Sequence, residues 1–224
     1  MADDDVTLSG EIKGKLVDSK QKWAEEGRLL TGKTAAPSDR LPPGQRLVET
    51  WPVLDLGIKP EIPTHAWRLF VDGEVEAPVT LKWDDFKALP RIELTTDIHC
   101  VTAWSRYDNR WEGVSARDLI ALVKPKASAQ HVIFHAYDTY KTNVPLADFA
   151  AEDVMLAWTC NGEPISREHG GPLRVVIPKL YFWKSAKWIK RIEFSELDKP
   201  GFWEVRGYHN YGDPWREQRY DDEP

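Results

Sequence analysis

From Trp67 onward the chain sustains no long helical period. It breaks instead into short β-rich runs separated by turns and brief helices, and that rhythm limits the folds open to it. Trp67 to Val71 reads as a strand, Asp72-Gly73 as a turn, and Val79 to Leu81 as the returning strand. Asp84 to Leu89 reads as a short helix stopped by Pro90. Ile92, Leu94, Thr96 and Ile98 then alternate toward Cys100 as strand residues do, and a Trp111-Glu112-Gly113 turn follows. Ser115 caps a helix running to Val123, with Asp118 in the capping-box position where glutamate is usual. His131 to Tyr137, Leu173 to Ile177 and Lys187 to Phe194 read as strands, and a short helical segment starts at Asp148. Because these elements lack the regular βαβ rhythm of a parallel sheet, the fold class is α+β, with mixed sheets and short helices. No internal repeat is visible.

Ahead of this region the organisation differs. Glu11 to Leu30 reads as an amphipathic helix carrying Ile12, Leu16, Trp23 and Leu30 on one side, and Ala35 to Gly44 is a linker by its proline, glycine and small-residue content. We therefore expect an N-terminal helix and linker over 1–45, a main domain over 46–198 and a C-terminal segment over 199–224 that completes the rim of the site. A chain of 224 residues with 42% hydrophobic content can bury a sizeable core. The net charge of −6, with acidic clusters at Asp3 to Asp5 and Asp221 to Glu223, offers no basic excess to neutralise nucleic-acid phosphates. No apolar run approaches the roughly 18 to 20 residues that span a bilayer. Met1-Ala2-Asp3-Asp4-Asp5 is acidic where a signal peptide would be basic, so the expected location is cytoplasmic, with thiols reduced.

Two cysteines, Cys100 and Cys160, allow at most one disulfide, and neither has zinc-site spacing. A lone cysteine is ordinarily a small buried hydrophobe. Cys100, however, ends a strand where the chain leaves its sheet, and a thiol there can face a ligand. His131 and His135 would share a face on a helix, but the intervening Val-Ile-Phe is strand-like and separates them by roughly 13 Å, too far for one metal. His131 reads as a strand-end residue.

The segments Cys100-Val101-Thr102-Ala103-Trp104-Ser105, His169-Gly170-Gly171-Pro172-Leu173-Arg174 and Tyr181 to Ile192 occur in that order. Together they resemble the oxidoreductase molybdopterin-binding domain of the sulfite oxidase family, which includes bacterial protein-methionine-sulfoxide reductase catalytic subunits, over roughly residues 45 to 212. The resemblance implies a molybdenum-molybdopterin cofactor (Mo-MPT) held through its dithiolene and by the Cys100 thiolate, a sensible soft ligand. It implies pterin and phosphate contacts from His135, His169, Arg174, Ser185, Ala186 and Lys187. At the His135 position the sulfoxide reductases carry threonine, and at the His169 position they carry asparagine where sulfite oxidases carry histidine. Arg174 and Lys187 have apolar neighbours, a setting in which unpartnered charge is costly. Tyr208 is the best match for the tyrosine beside the open face of the metal, where a phenol can relay a proton. Arg106 and Arg206 are candidates for binding an oxyanion.

The arginine that sulfite oxidases contribute from well upstream has no clear counterpart in Leu47 to Pro52, where Glu49 stands and Arg46 is the nearest substitute. The implied activity is two-electron oxygen-atom transfer at sulfur, as S-oxide or N-oxide reduction or as sulfite oxidation. A haem domain is not expected, so electrons pass to or from a separate partner, and the substrate is a small molecule. The competing reading is a cofactor-free, tryptophan-rich binding module such as a carbohydrate-binding domain, which would expose its aromatics on a platform. With 11 tryptophans the chain has the material for either.

Overall fold

The structure, a computed structural model, describes residues 39–221. The expected helix over Glu11 to Leu30, and the linker up to Ser38, lie outside the described residues. Two mixed sheets make up the fold. The first contains β1 (Arg46–Leu47), β4 (Arg91–Cys100), β5 (Trp104–Ser115), β8 (Met155–Cys160), β9 (Glu163–Pro164) and β10 (Arg174–Val176). The second runs in the order β3 (Val79–Lys82), β2 (Arg68–Gly73), β11 (Ile189–Ser195), β6 (His131–Ala136), β7 (Lys141–Pro145). Helices α1 (Trp83–Lys87), α2 (Ala116–Val123) and α3 (Leu146–Phe149) are short connections. The α+β expectation is met.

The side-chain alternation of strands explains how the sheets stack. In β8, Leu156 and Trp158 join the core shared with the second sheet, while Met155 and Ala157 face a separate apolar cluster containing Cys100, Trp104 and Trp111. Val175 and Val176 of β10 divide in the same way. Both faces of the first sheet are thus buried. Leu69, Val71, Phe134, Ile192 and Phe194 close the shared core from the second sheet, and each such side chain contributes about 1.5–3 kcal/mol on burial.

Several expectations need correction. The loop after Cys100 is only residues 101–103, and no Trp-Glu-Gly turn follows it: the chain continues as β5, the longest strand, with Trp111, Glu112 and Gly113 inside it. The Lys187-to-Phe194 strand begins only at Ile189, because Trp188 has φ +50, a left-handed conformation that no strand accommodates. The helical segment expected from Asp148 onward is the single turn Leu146–Phe149. Ser115 does cap α2, but its hydroxyl accepts from the N–H of Arg117 and not from that of Asp118.

Candidate active site

Cys100 is the last residue of β4, opposite Trp104 across a three-residue loop, and Ala103 in the left-handed region (φ 63) closes that loop by donating its N–H to the Cys100 carbonyl at 3.1 Å. The tight turn brings three donors to one sulfur. Thr102 Oγ1 donates to Cys100 Sγ at 3.2 Å, and the backbone N–H groups of Val101 and Thr102 also face it. Burial pushes the thiol up, while these donors and the charge of Lys187 act in the opposite direction. Gln45 Nε2 holds the loop from outside through the Cys100 carbonyl at 3.1 Å.

Cys100 opens onto a cavity of about 920 Å³, counted with its mouth. One side is cationic. Arg174 is 2% exposed and donates to the carbonyls of His169 (2.7 Å) and Ser185 (2.9 Å), with its guanidinium 4.0 Å from the Phe182 ring centroid. Its bonds thus go to neutral carbonyls, and burial lowers its pKa to about 9. Lys187 reaches the same side and donates to the carbonyls of Leu54 and Glu168. Between them, His169 stacks on Trp51 at 4.0 Å. Burial, followed by the charges of Arg174, Lys187, Arg106 and Lys59, depresses the His169 pKa to about 4, so the imidazole is neutral at pH 7.

The opposite side is aromatic. Trp183 meets Tyr208 edge to face at 5.4 Å, Trp203 lies 4.8 Å from Tyr208, and the Tyr140 hydroxyl donates to the Trp183 carbonyl at 2.7 Å. Two carboxylates also line the cavity: Asp55 accepts from the N–H of Gly57, and Asp138 accepts from the N–H of Tyr140.

The fold brings Cys100, His169, Arg174, Ser185, Ala186, Lys187 and Tyr208 to this one cavity. The Ser185 hydroxyl is taken up by the fold, accepting from the N–H of Ile177 at 2.9 Å. Other residues named from the sequence do not line it. Arg106 donates to Asn109 Oδ1 at 2.7 Å and sits 5.6 Å from the Trp51 ring, behind the wall. His135 lies on β6 in the second sheet, where Nε2 pairs with Glu193 at 2.8 Å beside Arg191. Arg46, Glu49 and Arg206 are exposed, and Arg206 donates to the Phe202 carbonyl. The glycines before Arg174 serve the protein's own packing: a Cβ on Gly170 would lie 2.9 Å from Lys187 Cβ, and one on Gly171 would lie 2.1 Å from the Ile165 carbonyl oxygen.

Sequence reasoning missed Trp51, Leu54, Asp138, Tyr140 and Trp203. The high tryptophan count pointed to Trp51 and Trp203 alone; no signal in the sequence marked Leu54, Asp138 or Tyr140. Among the described residues Trp215 is the exposed tryptophan, at 44%, whereas Trp104, Trp183 and Trp188 are buried. That is not the surface platform a carbohydrate-binding module needs.

Comparison with known proteins gives the lineage. The oxidoreductase molybdopterin binding domain matches residues 56–203. The chain is 50% identical over 184 residues to the uncharacterized oxidoreductase YuiH of Bacillus subtilis, covering 82% of this chain and 93% of that protein. It is 30% identical over 164 residues to the protein-methionine-sulfoxide reductase catalytic subunit MsrP of Ralstonia nicotianae, covering 66% of this chain and 49% of that one. With mitochondrial sulfite oxidase of Mus musculus it shares 28% over 182 residues, 68% of this chain and 33% of that one. It therefore spans about half of the first of these two enzymes and a third of the second. The sulfane dehydrogenase SoxCD of Paracoccus pantotrophus has the same fold, with a TM-score of 0.57 at 23% identity over 62% of this chain and 40% of that one. Among the described residues no helix is long and apolar enough to cross a membrane. With Cys100, Arg174 and Lys187 converging on one cavity inside the matched region, the chain belongs to the oxidoreductase molybdopterin-binding domain family.

Proposed function

We propose that this protein is a molybdenum-cofactor oxidoreductase that reduces uncharged S-oxides or N-oxides. The observation that carries the reading is the cavity itself: a thiol with three hydrogen-bond donors on its sulfur opens onto the same space as a buried guanidinium whose bonds go to neutral carbonyls. The lining fits a molybdopterin. Trp104 lines the cavity and its buried Nε1–H has no acceptor among the described residues, while Arg174 and Lys187 suit a phosphate by charge and by the geometry of their donors. Among the described residues no group of three or more His, Cys, Asp or Glu could hold a metal by itself, and Cys100 would serve as the protein's soft donor to a metal carried by the cofactor. When bound, the cofactor supplies a two-electron couple at a centre able to accept an oxygen atom.

In this reading the residues have separate tasks. Cys100 holds the metal as thiolate, its charge shared by the Thr102 hydroxyl and the two backbone amides. Arg174 and Lys187 fix the phosphate, and Trp51 with neutral His169 forms the flat wall between them. Tyr208 stands on the aromatic side, where its phenol donates a hydrogen bond or proton to the departing oxide oxygen. Each turnover takes up two electrons and two protons and releases the reduced compound and water. The electrons come from a separate carrier, and the expected location is cytoplasmic.

Electrostatics favours an uncharged oxide over sulfite. With Arg174 and Lys187 on the phosphate, the charged groups left in the lining are Asp55 and Asp138. Lys59 at 3.8 Å offsets the charge of Asp55, and Asp138 adds negative charge to the lining that disfavours an anion there. The test begins with metal analysis of protein purified from a molybdenum-replete host: wild type carries molybdenum and Cys100→Ala does not. Side-by-side kinetics then compare methyl phenyl sulfoxide with a reduced dye against sulfite with an acceptor, and Tyr208→Phe slows the first by about 10²-fold or more. Efficient sulfite turnover with a low KM would replace this reading with a sulfite oxidase.

A further inference from the structure

Behind the aromatic wall lies a buried ion pair that the cavity does not touch. Glu204 and Lys184 have side chains 1% and 0% exposed, and Lys184 Nζ sits 2.6 Å from Glu204 Oε1. The same oxygen accepts from Trp183 Nε1 at 3.0 Å and from Thr142 Oγ1 at 2.8 Å. Lys184 is also tied to the carbonyls of Asn143 (3.0 Å) and Asn210 (2.6 Å). Burying two charges is costly, and apolar residues of similar volume often serve stability as well or better. What this pair provides is direction. A carboxylate oxygen anchored from β7 and from Lys184 fixes where the indole N–H of Trp183 must point.

That orientation carries through to the cavity. Trp183 is pinned twice, by Glu204 at its indole and by the Tyr140 hydroxyl at its carbonyl. Tyr181 stacks on its ring at 5.3 Å, and Tyr208 meets it edge to face at 5.4 Å and 85°. Gly212 leaves the room this requires, since a Cβ there would lie 2.7 Å from the indole. Glu204 also sits on the short 3-10 turn Glu204–Arg206, between Trp203 and Tyr208 in sequence. We propose that Glu204 is a positioning residue of this site: acting through Trp183, it fixes the face against which Tyr208 and the substrate rest. This deepens the oxide-reductase reading, and its activity arm rests on that reading; its spectroscopic arm does not.

The experiment uses the full chain, loaded with cofactor, with 15N-labelled tryptophan. Trp183→Phe removes one indole N–H signal and so identifies it. In Glu204→Gln that signal shifts upfield and exchanges faster with solvent; an unmoved signal overturns the proposal whether or not the protein reduces any oxide. In kinetics with methyl phenyl sulfoxide, Glu204→Gln and Trp183→Phe each lower kcat/KM by about tenfold or more at unchanged molybdenum content. The double variant is no worse than the poorer single, because both remove one coupling. Multiplying losses would overturn the proposal. Trp183→Phe leaves the Lys184–Glu204 pair in place, so it carries the test if Glu204→Gln fails to fold: wild-type kcat/KM in that variant also overturns it.

Discussion

Arg174 is a guanidinium solvated by carbonyls inside the protein, and its charge adds to burial in holding neighbouring His169 neutral. His169 shows the effect most directly, because it is already partly buried and then faces Arg174, Lys187, Arg106 and Lys59. Its pKa is about 4 in the folded chain against an ordinary 6.5. Between those two values the unfolded chain takes up a proton that the folded chain refuses, so His169 makes stability rise with pH across this window. The contribution is fully present above pH 6.5 and is lost as pH falls through 4. In cofactor-free protein, His169→Asn should therefore lower Tm at neutral pH through the lost stacking on Trp51, yet show a shallower loss of Tm between pH 6.5 and 4.5 than wild type. Parallel curves in a thermal melt series would contradict this. Arg174 and Lys187 were legible in the sequence because charged residues among Val175, Val176, Trp188 and Ile189 need a special partner. Arg106 and His135 were not, since their partners Asn109 and Glu193 are decided by strand bulges and cross-strand register, which spacing alone does not report.

Among the elements, β5 shows why a strand escapes a sequence reading; its partners β1 and β8 escaped it too, whereas β4 did not. Its buried positions include Ser105, Asn109 and Gly113 alongside Trp104, Trp111 and Val114, and Asp108 interrupts the alternation with φ +54. A register shift against β4 between Thr96 and Ile98, and another against β8 between Glu112 and Gly113, break the period of two. The Trp-Glu-Gly sequence looks like a turn, but its glycine has a different task. A Cβ at Gly113 would sit 2.0 Å from the Leu156 carbonyl oxygen, so the residue is glycine because β8 passes that close. Gly113→Ala should cost about 3 kcal/mol, the upper range for forcing a methyl into a packed site, whereas Ser115→Ala, two residues on, should cost about 1 kcal/mol through the lost helix cap. Urea unfolding midpoints of the cofactor-free variants separate the two. Equal, small effects would mean that β5 and β8 can slide apart at the bulge. The strands that were legible, β2, β3, β4, β6, β10 and all but the ends of β11, are those in which alternation or an apolar run persists over several residues.

For the molecule as a whole, the site is a product of complete folding. Its lining comes from Trp51 to Leu56, the Cys100 turn, Asp138 and Tyr140, the stretch from His169 to Trp188, and Trp203 with Tyr208, so no single unit of the fold contains it. A cofactor bound there contacts the native state alone, and its binding free energy adds to the stability of the whole chain. At a cofactor level about 1,000 times Kd the gain is about 4 kcal/mol. For a chain of this size each kcal/mol moves Tm by about 2–4 °C, which puts molybdenum-loaded protein roughly 8–16 °C above protein made in a host unable to supply the cofactor. Arg174→Ala lowers Tm in both forms, because it leaves the His169 and Ser185 carbonyls unpaired. The informative quantity is therefore the gap between loaded and unloaded protein. Losing a charge-assisted bond to phosphate removes about 1.5–3 kcal/mol of binding, so the gap should shrink by roughly half in Arg174→Ala and similarly in Lys187→Ala. Matched scanning calorimetry on the loaded and unloaded forms, with molybdenum content measured for each sample, reads it directly. A full-sized gap in both variants would mean that the phosphate is held on another side of the cavity.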